Sequence, residues 1–337
     1  MPVPLVMAVF LAAASAQTPP LFQTGEPLVF ELRTDLRALF RDRSATRIEY
    51  PGTLRFSAGS GVDTGSVKVQ LRTRGIFRLK LCPFPPIRVD LPARRVAHTS
   101  FAGQDKLKLV THCRSDRSSE RNLLKEYALY RAFNAVTDSS FRVRLAHITY
   151  VDTTRADTVT RYGFFIESDE ALAQRLGTVV LARDNVHDAT TDPSYITLVA
   201  VFQYLIGNTD WSVWGRHNIA IVHDTTGSRG MLAVPYDFDF SGAVNAPYAV
   251  PPEQLPIASV RERWYRGFCQ PDTVLSGAIA RVRAAKDSIY AAVRAVPGLP
   301  EGDAKNLLGY FDGFFREIDD RGTLQRDLAR RCRPLSQ

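Results

Sequence analysis

Apolar and polar residues alternate in four short runs within the first hundred residues, at positions 28–32, 52–57, 67–73 and 87–91. A side-chain period of two, broken by Gly, Pro and Ser turns, predicts strands of an antiparallel sheet with one wet face. Positions 107–110 add a further short strand. The pattern then lengthens to a helical repeat at 119–134, where Leu123, Leu124, Tyr127, Ala128, Leu129 and Phe133 form a stripe, with Asp116 or Ser118 as cap. Glu120 and Glu126 lie in this helix. Two more strands, 146–152 and 162–167, flank a turn-rich link and read as a hairpin.

Beyond Glu167 the pattern turns helical. Asp192-Pro193 is a cap followed by proline at the first helical position, and the helix it opens, 194–206, is apolar nearly all round. Such a helix belongs at the centre of a core, and its end at Gly207-Asn208 delivers Asp210 to the edge. A hairpin is expected from 219–222 and 231–240, and amphipathic helices over 273–296 and 301–330. The layout is α+β and bilobal: a β-rich N-lobe over 17–167 and a mainly helical C-lobe over 168–337.

Composition places the chain without naming its chemistry. Residues 2–16 are apolar and uncharged and end Ala14-Ser15-Ala16, so 1–16 reads as a signal peptide and the protein as exported, periplasmic or extracellular. No later stretch approaches the ~20 apolar residues of a membrane span. Cys82, Cys113, Cys269 and Cys332 are an even count suited to two disulfides, and proximity favours Cys82 with Cys113 and Cys269 with Cys332. Their spacing matches no zinc pattern. The net charge of +8 is scattered and often paired with acids, as in Arg41-Asp42-Arg43, which argues against a nucleic-acid partner. One denser group, Arg72, Arg74, Arg78 and Lys80, would hold phosphates as a hairpin or protect an edge strand.

Candidate chemistry concentrates near the middle. If 236–240 is a strand, Asp237 and Asp239 share one face roughly 7 Å apart, opposite Tyr236, Phe238 and Phe240. Two such carboxylates repel unless a cation lies between them, which suggests Mg2+ or Mn2+. A metal beside the Asp210 and Asn218 pair suggests phosphoryl transfer. His217 reads as a base or as a hydrogen-bonding loop residue. Trp211, Trp214 and Trp264 would grip a substrate or pack.

Over 67–242 the chain resembles the spore-coat CotH-like atypical protein kinases. The resemblance is carried by Arg72 to Gly75, Pro86 to Leu91, Glu120-Arg121-Asn122, Tyr162 to Asp169, Gly207 to Trp211, His217-Asn218 and Pro235 to Asp239. It implies Asp210 as catalytic residue, Asn218 and Asp237 as metal ligands with Asp239 as a second, and Glu167 at an inter-lobe hinge against adenine. Glu120, or else Glu126, would pair with a nucleotide-binding cation. There is no GxGxxG loop, and Asp90 stands where the family strand carries a basic residue. Arg74 with Arg88 or Lys108 would then meet the phosphates. The interval from Asp210 to Asn218 is eight positions, so Trp211 to Gly215 would bulge. The implied activity is ATP-dependent, Mg2+- or Mn2+-dependent phosphorylation of Ser or Thr on secreted or surface proteins. The alternatives are transfer of AMP, or a weakly catalytic pseudokinase serving as an extracytoplasmic binding or scaffold module.

Overall fold

The computed structural model describes residues 18–56, 65–155, 157–182, 186–227 and 230–334. The expected signal peptide, 1–16, lies outside them.

Strands β1 (Leu28–Thr34), β2 (Tyr50–Phe56) and β3 (Gly65–Thr73) follow the alternating runs, with the short helix α1 (Leu36–Arg41) between the first two. Helix α2 (Phe77–Leu81) separates β3 from β4 (Ile87–Asp90), and α3 (Ala93–Val96) separates β4 from β5 (Lys106–Val110). The long helix α4 (Arg117–Val136) precedes β6 (Val143–Asp152) and β7 (Thr158–Ile166). Antiparallel pairing runs β1, β2, β3, β4, β5, β7, β6, and a parallel pairing of β1 with β6 closes the ring. The sheet is therefore a closed seven-stranded barrel, antiparallel but for that one pairing, with its outer face wet as alternation implied; the closure itself was not expected. Phe30, Leu32, Leu71, Ile87, Val89, Leu107, Leu109, Ile148 and Phe165 fill its interior.

β6 and β7 are apolar on both faces near the cleft, because Val143, Leu145, Phe164 and Ile166 turn outward into a second core shared with α4. Asp116 caps α4 by accepting from the Ser119 amide. Helix α5 (Asp169–Arg175) leads to β8 (Val179–Val180), and α6 (Pro193–Ile206) is capped by Asp192. Of α6, the twelve residues from Tyr195 to Ile206 are buried, which explains its lack of a polar face. β9 (Ile219–His223) and β10 (Leu232–Pro235) complete a three-stranded sheet with β8. The C-terminal helices are more broken than their amphipathic pattern implies: α7 (Asp272–Ala284) and α8 (Lys286–Arg294) part at Ala285, and α9 (Glu301–Asp319) gives way to the one-turn α10 (Arg321–Leu324). Among the described residues no helix is long and apolar enough to cross a membrane.

Both favoured disulfides are present, Cys82 with Cys113 and Cys269 with Cys332. The first ties the end of α2 to the segment leading into α4. Thiol titration of the denatured, unreduced protein is expected to find no reactive cysteine; four reactive thiols would contradict both bridges.

Candidate functional site

A cavity of about 530 Å³ opens between one end of the barrel and the helical half. The turn from β3 to α2, the end of β5, the loop after α6 and the segment after β10 all reach it. Its position follows from three chain reversals.

The first is at Gly75, whose φ of +88° ends β3 and starts the turn into α2. The basic stretch 72–80 is thus a strand, a turn and a helix, and the expected hairpin does not form. α2 points Arg78 inward, where it is 8% exposed. Arg78 Nε donates to Asp239 at 2.9 Å, and Nη2 donates to Glu126 at 2.7 Å and Asp237 at 2.9 Å. Burial alone would depress this guanidinium, but Asp239, Glu126 and Asp237 outweigh it and hold it well above its ordinary value.

The second reversal follows β10. Asp237 adopts φ +61°, so 236–240 is not a strand, and side-chain alternation does not set its geometry. The two aspartates converge because one guanidinium grips both. Phe238 is buried with its ring 4.7 Å from that of Tyr130, and the Tyr130 hydroxyl accepts from the Asp237 amide. Asp239 also accepts from the Tyr248 hydroxyl at 2.8 Å. Asp237 keeps 44% of its side chain open to the cavity, yet the surrounding protein wall and then Asp239 raise it to about 6, against Arg78 and Arg74.

Glu126 is buried, and this pushes it up to about 8 although Arg78 pulls the other way. Glu126 accepts the Arg78 hydrogen bond at a position where burial favours its neutral form. A carboxyl raised from 4.5 to about 8 costs the fold progressively as pH climbs through that interval, then no further. Glu126→Gln is therefore expected to flatten the loss of stability between about pH 5 and 8, read as urea midpoints. An unchanged slope would contradict the raised pKa.

The third reversal is at Gly207, which ends α6 with φ +64° where a Cβ would meet the Tyr310 hydroxyl. The Asn208 side chain accepts from the Asp210 amide at 3.0 Å. Asp210 Oδ1 meets His217 Nε2 at 2.8 Å, and Oδ2 accepts from Asn218 Nδ2 at 3.0 Å. Asn218 also donates to the Asp210 carbonyl at 2.8 Å. The long interval folds as a small hairpin pinned by Ser212 and His217, with Trp211 and Val213 buried and only Trp214 and its polar neighbours outside. The hydrogen bond to Asp210 holds His217 above its usual pKa.

The cavity brings together Arg74, Lys108, Asp210, Asn218, Asp237 and Asp239. Lys108 pairs with Asp169 at 2.7 Å and sits over the rings of Phe141 and Tyr236. Arg74 has no carboxylate within ion-pair distance among the described residues. Arg88, Glu120 and Glu167 are not in its lining. Ile87 and Val89 fill the barrel, so Arg88 lies on the outer face of β4, where it pairs with Asp90 at 2.5 Å and Glu49 at 2.9 Å. Glu120 faces another side of α4 and accepts from the Tyr162 amide at 2.7 Å. Six positions along a helix rotate a side chain by about 240°, so only Glu126 of the two reaches Arg78. Glu167 is fully buried and spent on Arg175 and the Arg142 amide, while its neighbour Ile166 lines the cavity.

Glu126, Asp237 and Asp239 offer three carboxylate oxygens within 4.8 Å of one another, a set suited to a hard cation. Arg78 already bonds all three. The donors that fit a divalent ion are instead the open Asp237 carboxylate and Asn218 Oδ1, since the amide nitrogen of Asn218 is committed to Asp210. The sequence missed Arg78 because it stood within a basic run; its signal was the four-residue step from Arg74 across Gly75.

A larger groove of about 1110 Å³ lies elsewhere, lined by Arg261, Arg263 and Tyr310 among others. Arg261 and Arg263 are already stacked on Tyr310 and bonded to Gly242 and Glu317, and Arg294 lies over Tyr290, so the groove lacks the convergent chemistry of the smaller cavity.

No protein-family model matches the chain, and no curated protein does. Among solved structures, the proinflammatory kinase CtkA of Helicobacter pylori aligns over 68% of this chain and 90% of its own, at 10% identity and a TM-score of 0.40. A likeness of that depth does not argue for a shared activity.

Proposed function

We propose that the cleft binds ATP with Mg2+ or Mn2+ and passes the terminal phosphate to a Ser or Thr hydroxyl of secreted or surface proteins. The observation that carries this reading is that Asp210, Asn218 and Asp237 face one cavity together with Arg74, a cation that makes no ion pair with a carboxylate among the described residues and acts on Asp237 from further off. Val110, Phe141 and Ile166 offer an apolar wall for the base, and the volume lies within the range of small-ligand sites. Arg74 and Lys108 would meet the phosphates. Asn218 and Asp237 would hold the ion, which neutralises charge on the transferred group when bound. Asp210 would orient the attacking hydroxyl and take its proton as the bond from the terminal phosphorus to the bridging oxygen breaks and ADP leaves. Catalysis in this reading is positioning and charge neutralisation. The two disulfides are compatible with export.

A non-catalytic binding module is the second reading, favoured because Arg88 on β4 is spent outside the cleft. Thermal melting with ATP, Mn2+ and both together separates the two. Stabilisation of several degrees requiring both is expected, since ligand at one hundred times Kd contributes about 2.7 kcal/mol. Stabilisation by Mn2+ alone, with no transfer of radiolabel to a protein acceptor, would favour the binding module.

A further inference from the structure

We infer that Arg78 closes the Glu126, Asp237 and Asp239 cluster to divalent ions, so that a side chain stands where a second metal would otherwise neutralise the site. Phosphoryl-transfer sites of the kinase type commonly gather two ions around one nucleotide, each needing oxygen ligands on several sides. Here the guanidinium lies among the three oxygens that would supply them, at 2.7 to 2.9 Å from each. Its planar fork uses Nε toward Asp239 and Nη2 toward the other two, a geometry that one ammonium or one ion cannot reproduce.

An ion could enter only by expelling Arg78, and three features oppose that. Its side chain is 9% exposed, and leaving its place breaks three charge-assisted bonds at once. Its carbonyl accepts from the Cys82 amide, and Cys82 is bridged to Cys113, which anchors the end of α2 beside the entry to α4. Asp239 is held by a second donor, Tyr248, and cannot swing to meet an ion without losing both. The donors left open are Asp237 and Asn218, which is room for one ion.

The inference concerns what the cluster binds and does not require that phosphate is transferred. The experiment is a Mn2+ titration of the full disulfide-bonded protein, with and without an ATP analogue whose β,γ bridge is an imido group. Bound Mn2+ is counted by electron paramagnetic resonance. Wild type is expected to hold no more than a single ion, with occupancy unchanged in Glu126→Gln and Asp239→Asn. Arg78→Ala is expected to gain one ion and to melt at a higher temperature with Mn2+ than without. Two ions in wild type, loss of an ion in Glu126→Gln or Asp239→Asn, or a folded Arg78→Ala that gains none would each overturn the inference. If Arg78→Ala does not fold, the two carboxylate variants still decide it. Complete absence of bound Mn2+ in wild type, with the gain in Arg78→Ala, would uphold the closed cluster and count against the metal-dependent reading of the cleft.

Discussion

Arg78→Leu is expected to lower the unfolding free energy by about 3–5 kcal/mol, because it leaves buried carboxylates without their cation. Burial, which favours the neutral form of Glu126, softens the loss there, but Asp239 is 3% exposed and would be left to the Tyr248 hydroxyl with no cation beside it. Arg78→Lys should recover part of the deficit, since one ammonium cannot span three acceptors in the plane of a guanidinium. Urea unfolding at neutral pH measures both variants. A loss under about 1 kcal/mol in Arg78→Leu would mean that the three contacts are not a stabilising node.

Asp237→Asn and Asp210→Asn are expected to separate ligand from proton acceptor. The first should abolish Mn2+-dependent nucleotide binding, since the neutral amide is a poor ligand for a hard cation, while apo stability changes little because lost attraction to Arg78 and relieved repulsion from Asp239 oppose each other. The second should keep Mn2+ and nucleotide binding and lower turnover by about 10²- to 10⁴-fold, the usual reach of a positioned acid or base. Calorimetric titration of Mn2+ with ATP, run beside radiolabel transfer, reads both. Unchanged binding by Asp237→Asn would remove Asp237 as a ligand, whatever the activity.

Much of the fold was legible where a local rule governs it. Alternation marked the barrel strands, Asp116 and Asp192 marked helix starts, and nearness in sequence favoured the two cysteine pairs. What alternation cannot carry is a pairing between distant segments, so the β1 to β6 contact and the closed ring were hidden. In the cleft, the proximity of Asp210, Asn218 and Asp237 was anticipated from order and spacing, while the cation among the carboxylates was sought as a metal. The physics of like-charge repulsion was right about the need and silent about the source. Asp237 escaped the strand reading through a positive φ that no side-chain pattern reports. Glu120 and Arg88 were named from the family resemblance, with Glu126 and Lys108 as alternatives, and helix rotation and strand facing put the first of each pair elsewhere.

The barrel is closed by strands far apart in the chain, with Leu28 facing Ala146. During synthesis the ring therefore stays open until β6 has emerged, and its first strands wait with unpaired edges. Long-range pairing of this kind is slow to form, because loop-closure entropy comes due before the contacts that offset it. The N-terminal half therefore locks as one event, when β6 becomes available to meet β1, rather than strand by strand.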